Sequence, residues 1–315
     1  LFDISSKALI KIAPLLNMVK PHIIFVQGDT TTAFIGALAG FYCKIRIAHI
    51  EAGLRSNNKY SPFPEEINRK LIDQLTDYYF VPTQEAAKNL KAEGIKENIW
   101  IVGNTVIDAL LWGVKIINQE EEKYKRRFDF INFKKKIILV TGHRRESFGQ
   151  PFRNICYALK KIVEQREDVE IVYPVHLNPN VQKPVKQILQ KQPNIHLIEP
   201  LDYPEMIWLI KNSYLVLTDS GGIQEEATAP PIRKFVLVLR ISTERPEAVE
   251  AGFAKVVGVE KEGILKALDE ALRREAPLPE RSPFGDGASG ERIADLIIEE
   301  IIPELEERSG QVNQY

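Results

Sequence analysis

Cysteine is almost missing from this chain. Cys43 and Cys156 are the only two in 315 residues, and no CxxC or Cys/His cluster accompanies them. That excludes a disulfide framework or a structural zinc site and fits a reducing compartment, so the expected location is the cytoplasm. An excess of charge of either sign is missing too. The 42 basic and 43 acidic residues leave a formal net charge of -1, without the field that draws proteins to nucleic acid or to an anionic membrane. The expected partner is a small molecule. No apolar run approaches the roughly 20 residues needed to span a bilayer. The start, LFDISSKALIKIAPLL, has neither the charged segment nor the small-residue cleavage site of a signal peptide. It reads instead as an amphipathic helix with no strand before it, and the expectation is a chain that opens inside a domain.

What is present is alternation. Short β-branched runs alternate with helical patterns: HIIFVQ (22–27), IRIAHI (45–50), DYYFVP (77–82), NIWIVG (98–103), KIILVT, EIVYPV, NIHLIE, YLVLTD and FVLVLR. This predicts an α/β protein with parallel sheets built from βα units. At this length, with 44% hydrophobic residues, two cores in two domains are expected, with a cleft between them. Residues 119–135, inside a charge-dense stretch without a comparable strand, are read as the linker. The first domain then spans 1–118 and takes back a C-terminal helix, 296–315; the second spans 136–295.

In such sheets ligands bind beyond the carboxyl ends of the strands, and the polar signals fall there. HIIFVQ runs into Gly28-Asp29-Thr30-Thr31-Thr32, where Asp29 or a threonine could do no more than cap the next helix. The following strand ends at His49-Ile50-Glu51-Ala52-Gly53; a carboxylate at a strand edge beside a glycine suggests a site at Glu51. Ser61-Pro62-Phe63-Pro64-Glu65-Glu66 opens a further helix, and Glu66 in its first turn is also explained by the helix dipole. Convergence of Asp29, Glu51 and Glu65 would crowd three carboxylates and raise their pKa values, as acid and base work near neutrality requires.

In the second half, KIILVT is followed by Gly142-His143-Arg144-Arg145, a histidine and two guanidiniums suited to a phosphorylated or carboxylated ligand. His176 follows EIVYPV and could equally be a loop histidine bonded to backbone. YLVLTD leads into Ser220-Gly221-Gly222-Ile223-Gln224-Glu225-Glu226, where a small loop and a helix start would offer N–H groups to an anion. Either Glu225 or Glu226 is expected to face a ribose. Arg245 could pair with a diphosphate, or simply with Glu247.

QGDTTT, HIEAGLRS, SPFPEEINR, TGHRRESFG, PVHLNP, TDSGGIQEEA and TERPEAVEAG, in this order, closely resemble the non-hydrolysing UDP-N-acetylglucosamine 2-epimerases over nearly the whole chain. The resemblance implies two Rossmann-like, doubly wound domains of the glycosyltransferase-B type with the active site in the interdomain cleft, and a homodimer. It makes Asp29, Glu51, Glu65 and His143 catalytic candidates and gives Ser220, Gly221, Gly222, Glu226 and Arg245 to UDP. It also suggests Arg144, His176 and Glu66 for a second, activating UDP-GlcNAc site. Three features depart from the family pattern. Its opening strand and Gly-Thr-Arg-Pro-Glu loop have no counterpart before Leu1, the segment Ala227 to Lys234 looks about two residues longer, and Ala288-Ser289-Gly290 lacks a lysine.

The implied reaction removes the C2 proton while UDP leaves C1, forming a 2-acetamidoglucal. UDP and a proton then add back to give UDP-ManNAc for surface polysaccharide synthesis, with no cofactor and no metal. Three alternatives stay open at this point: a hydrolysing epimerase, a retaining glycosyltransferase, and a nucleotide-sugar-binding scaffold. The NAD-dependent sugar epimerases are excluded, since the YxxxK match of Tyr157 and Lys161 lies in an amphipathic helix and no G-x-x-G-x-x-G loop accompanies it.

Overall fold

Two parallel sheets organise the chain, and a computed structural model describes residues 1–312, with side chains to Glu307. One compact unit comprises Leu1–Asp108 and the chain from Gly287 onward; the other comprises Ala109–Asp286. Among the described residues no helix is long and apolar enough to cross a membrane.

In the first unit the strands are β1 (Ile23–Gln27), β2 (Arg46–Ile50), β3 (Tyr78–Val81) and β4 (Ile99–Ile101), all parallel and in that spatial order. The register sets Ile23 beside Arg46 and Gln27 beside Ile50, so the loops after β1 and β2 emerge at the same edge. The helix Thr31–Tyr42 lies close on this sheet because Gly40 lets it. A Cβ there would meet Ile24 Cδ1 at 3.0 Å and Ile47 Cγ1 at 3.3 Å. The helix Ser289–Leu296 and the turns that follow bury Ile293 and Ile301 against Tyr78, Phe80 and Val102.

The second unit holds β5 (Lys136–Thr141), β6 (Val169–Pro174), β7 (Ile195–Ile198), β8 (Leu215–Thr218), β9 (Phe235–Val238) and β10 (Ala254–Val256). Every residue of β6 and β8, and all of β5 but its first, is buried. That is why these strands read as continuous apolar runs: helices cover both faces of such a sheet. The spatial order is β10-β9-β8-β5-β6-β7, the doubly wound order in which the chain runs outward first to one side of β5 and then to the other. Its switch point therefore lies between β5 and β8, where a crevice opens beyond the strand ends.

Two features differ from expectation. β10, as short as β4, begins with Ala254 and Lys255, residues of low strand preference, and is not among the predicted runs. Residues 119–135, expected as a linker, carry the helix Glu121–Arg127 and belong to the second unit. Tyr124 and Phe128 are buried one turn apart, and Phe128 stacks on Trp208 at 5.2 Å. The dense charge lies on the solvated side of that small aromatic core. The boundary between units falls earlier, inside the helix Thr105–Gln119.

Candidate functional site

The first unit gathers its candidate acids at the carboxyl ends of β1 and β2. Thr30, not Asp29, caps the helix after β1, accepting from Ala33 N–H at 3.1 Å, so the capping alternative holds for the threonine. Asp29 is free of that duty and turns to the helix Glu65–Leu75. Its carboxylate accepts from Arg69 Nη2, and from Arg69 Nε at 3.1 Å, while its carbonyl accepts from Asn68 Nδ2 at 2.9 Å. Arg69 is buried, and its Nη1 also reaches Glu66 Oε2 at 3.3 Å.

Glu51 sits in the left-handed region at φ 68, a conformation costing a side-chain-bearing residue roughly 1–3 kcal/mol. It is held there while its N–H donates to Phe80 O at 3.0 Å. Its Oε2 lies 3.4 Å from where a Cβ on Gly28 would stand, so the carboxylate leans over the glycine that precedes Asp29. Glu65 opens its helix with Oε2 buried and without a hydrogen-bond partner, an unusual state for a carboxylate oxygen. Asp29 and Glu51 are thus brought to one edge of one sheet, and Glu65 stands one helical turn before the Asn68 and Arg69 that hold Asp29.

Glu66 is different. It is fully buried, and its two oxygens accept from Ser56 N–H and Asn57 N–H, each at 2.9 Å. Its carboxylate holds the loop after β2 and is turned away from solvent. Below the acids lies a buried network. His49 bridges Gly28 O at 2.9 Å and Asp73 Oδ1 at 2.6 Å, and Asp73 Oδ2 accepts from Arg55 Nη2 at 2.7 Å. Burial alone would raise the Asp73 carboxyl, but His49 and Arg55 outweigh it and hold the group below its usual range.

In the second unit the switch point carries the candidates. Thr141 and Thr218 join β5 to β8 through their hydroxyls at 2.6 Å. Just beyond them the buried Asp219 accepts from the N–H groups of His143 and Arg144 at 2.7 and 2.8 Å. The His143 ring stacks on His176, with centroids 5.4 Å apart and planes at 15°. Desolvation, reinforced by Arg144 and His176, lowers the His143 pKa against the pull of Asp219. His176 Nδ1 accepts from Asn178 N–H at 3.1 Å, the backbone-bonded state named for it above, yet the same ring covers His143. Both rings, with Ser220, Leu201 and Met206, line a cavity of about 180 Å³.

Ser220 caps the helix Gly221–Glu226, its Oγ 3.5 Å from Ile223 N. That helix has only six residues, so its dipole is weaker than the sequence pattern suggested. Arg245 is buried between carboxylates, with Nε 2.6 Å from Glu225 Oε1 and Nη1 2.9 Å from Glu244 Oε1. Its guanidinium braces the turn at Gly221 and is already compensated in charge. Glu226 takes the other direction and accepts from Tyr203 OH at 2.7 Å. Burial pushes its carboxyl up to about 7, with the Tyr203 bond pulling the other way.

Sequence reasoning missed Asp219, Arg69 and Tyr203. Asp219 had a signal, since it directly follows a strand as the chosen candidates do. Arg69 and Tyr203 sit inside helices and become visible only through their distant partners.

A family model described as UDP-N-acetylglucosamine 2-epimerase matches residues 1–298. The chain is 50% identical over 314 residues to a UDP-N-acetylglucosamine 2-epimerase of Campylobacter jejuni, covering 95% of this chain and 80% of that one. A crystal structure of the Neisseria meningitidis UDP-GlcNAc 2-epimerase bound to UDP-GlcNAc superposes with a TM-score of 0.89 at 40% identity, covering 94% of this chain and 81% of that one. The Methanocaldococcus jannaschii UDP-GlcNAc 2-epimerase, in complex with UDP-GlcNAc and UDP, gives 0.81 at 40% identity, with 93% and 80% covered. The two parallel-sheet units are of the glycosyltransferase-B type, as in these neighbours; the second is doubly wound as expected, whereas the described strands of the first run β1-β2-β3-β4 without a reversal.

Proposed function

The chain belongs to the UDP-N-acetylglucosamine 2-epimerase family, and on that premise we propose that it inverts C2 of UDP-N-acetylglucosamine reversibly to give UDP-N-acetylmannosamine. The observation that carries the reading is the gathering of Asp29 and Glu51 at one carboxyl edge of the first sheet, with Glu65 one helical turn before the residues that hold Asp29. A C2 inversion by elimination and re-addition needs one group to take the C2 proton and another to return a proton on the opposite face, and a set of carboxylates supplies both. Glu51, kept in a strained backbone conformation, and Glu65, with its unpartnered buried oxygen, are the residues whose states ordinary folding does not explain. Departure of UDP from C1 leaves a 2-acetamidoglucal; the step is redox-neutral and calls for no nicotinamide.

The nucleotide half is assigned to the switch point of the second unit. The Ser220-Gly221-Gly222 turn faces the diphosphate with backbone N–H groups, and Glu226 accepts from ribose hydroxyls. Arg245 acts by bracing Gly221. His143, beside this turn, is the proton-handling group nearest the leaving diphosphate. Arg144, whose Nε is buried without a partner, and His176 remain the candidates for an activating second nucleotide sugar.

The test is incubation with UDP-N-acetylglucosamine in deuterium oxide, followed by proton NMR. UDP-N-acetylmannosamine with deuterium at C2, approached from either substrate, is expected. Free N-acetylmannosamine with stoichiometric UDP would replace this reading with a hydrolysing one, and tight UDP binding without turnover would leave only a binding protein.

A further inference from the structure

Asp219 has one oxygen engaged and one waiting. Its Oδ2 takes the N–H groups of His143 and Arg144, while Oδ1 is buried without a hydrogen-bond partner, 3.4 Å from His143 Nδ1. The carboxyl is almost completely enclosed, at 2% exposure, and an unsatisfied buried carboxylate oxygen is costly unless a donor completes it. The Nδ1–H of His143 is the donor placed to do so. The ring is held from its other face by His176, and the strands beneath are tied by the Thr141–Thr218 hydroxyl bond. The His143 side chain is 42% exposed, and a small rotation of its ring closes the gap to Oδ1. Catalytic hydrogen bonds are often long before substrate arrives and tighten on binding.

We infer that Asp219 is the positioning residue of His143: it fixes the loop through two backbone N–H groups and accepts the Nδ1 proton, so that Nε2 is the atom turned toward the nucleotide sugar. This deepens the assignment of His143 made above and rests on it. With Nδ1–H committed to Asp219, the Nε2 lone pair is free to take a proton, and the carboxylate stabilises the imidazolium until Nε2 returns it. The charged groups facing the ring are Asp219, Arg144, His176 and Glu146. Only Asp219 and Glu146 favour its protonated form, and only Asp219 also holds the loop that carries it.

Asp219→Asn is the informative variant, because an amide oxygen at the Oδ2 position can still accept both backbone N–H groups while the group facing Nδ1 becomes a donor. Expected are a fall in kcat of at least about 100-fold, UDP affinity within about threefold of the parent, and a His143 pKa moved down. In Asp219→Asn combined with His143→Ala, the second substitution adds no further loss, since the two act as one unit. Full kcat in Asp219→Asn, or equal additional losses in the double variant, would overturn the inference. Nitrogen-15 NMR of the unsubstituted protein decides independently of any variant. An Nδ1–H tautomer at His143 supports Asp219 as its partner; an Nε2–H tautomer refutes it. If His143→Ala keeps its turnover, the catalytic role of His143 falls, and the ring tautomer alone then judges Asp219.

Discussion

The guanidinium of Arg245 lies against Gly221 so closely that a Cβ at 221 would stand 2.9 Å from both Cζ and Nη1, and 3.0 Å from Glu244 Oε1. Gly222, by contrast, has only Ser220 Oγ at 4.0 Å. The two glycines therefore do different things. Gly221→Ala is expected to push Arg245 off its pairs with Glu225 and Glu244 and to lower stability by about 1–3 kcal/mol, the usual range for overpacking. Gly222→Ala is expected to fold like the parent and to lose UDP affinity, because its methyl enters space proposed for the ligand. Urea unfolding and calorimetric titration with UDP, run on both, check the contrast; equal effects in the two variants would refute it.

Glu66→Ala leaves the N–H groups of Ser56 and Asn57 and one nitrogen of the buried Arg69 without their acceptor. The Arg69 nitrogen is buried and the two N–H groups sit in part-buried bonds; an orphaned buried donor costs about 1–3 kcal/mol, so a loss of about 1–3 kcal/mol is expected in urea unfolding. If Glu66 were instead a surface contact to an activating nucleotide sugar, stability would be unchanged and only the cooperativity of the substrate response would move.

Adjacent carboxylates show where sequence stops being legible. Glu65 and Glu66 look alike in the string PFPEEINR, but successive helix positions point about 100° apart, and which one turned inward depended on the loop that Glu66 would meet. Nine strands were legible because β-branched and aromatic runs bounded by turn residues leave little choice; β10, whose Ala254 and Lys255 carry little strand preference, was not. The sheet-end candidates were legible because Asp29, Glu51, His143 and Ser220 lie at or just beyond a strand's carboxyl end. The pairing of Asp219 with His143 was not, since it follows from β8 lying beside β5, a neighbour relation set by topology. Nor could the charged stretch 119–135 reveal that Tyr124 and Phe128 seek Trp208. Arg245 was read for its charge, when its partners decide what that charge is worth.

The left-handed backbone at Glu51 separates stability from chemistry. Asparagine tolerates that region better than glutamate. Glu51→Asn is therefore expected to keep stability within about 1 kcal/mol of the parent or above it, while epimerisation falls by at least about 100-fold. Thermal unfolding and the deuterium assay together read both halves. A variant that is strongly destabilised would show that Glu51 is held for folding, and one that turns over normally would remove it from the chemistry.

Glu226 makes stability depend on pH with an unusual sign. Its carboxyl titrates at about 7 in the folded chain because burial disfavours the charge, with Tyr203 partly offsetting this; in the unfolded chain it titrates near the ordinary value of about 4.3. The folded state therefore holds this proton more tightly. Its contribution is fully present below about pH 4.3, is lost as pH rises to about 7, and changes no further above that. Glu226→Gln fixes the group neutral, so the stability difference between variant and parent is expected to grow by about 3 kcal/mol in the variant's favour from pH 4 to pH 8. Tyr203→Phe removes the one bond that favours the carboxylate and is expected to move the titration higher still. Ribose hydroxyls donating to Glu226 would act in the opposite direction, favouring the ionised form. UDP affinity is then expected to rise with pH through 7, with a proton released on binding near that pH. Calorimetric titration in buffers of different ionisation enthalpy measures that proton directly, and binding that releases none in the parent protein at pH 7 would take Glu226 away from the ribose.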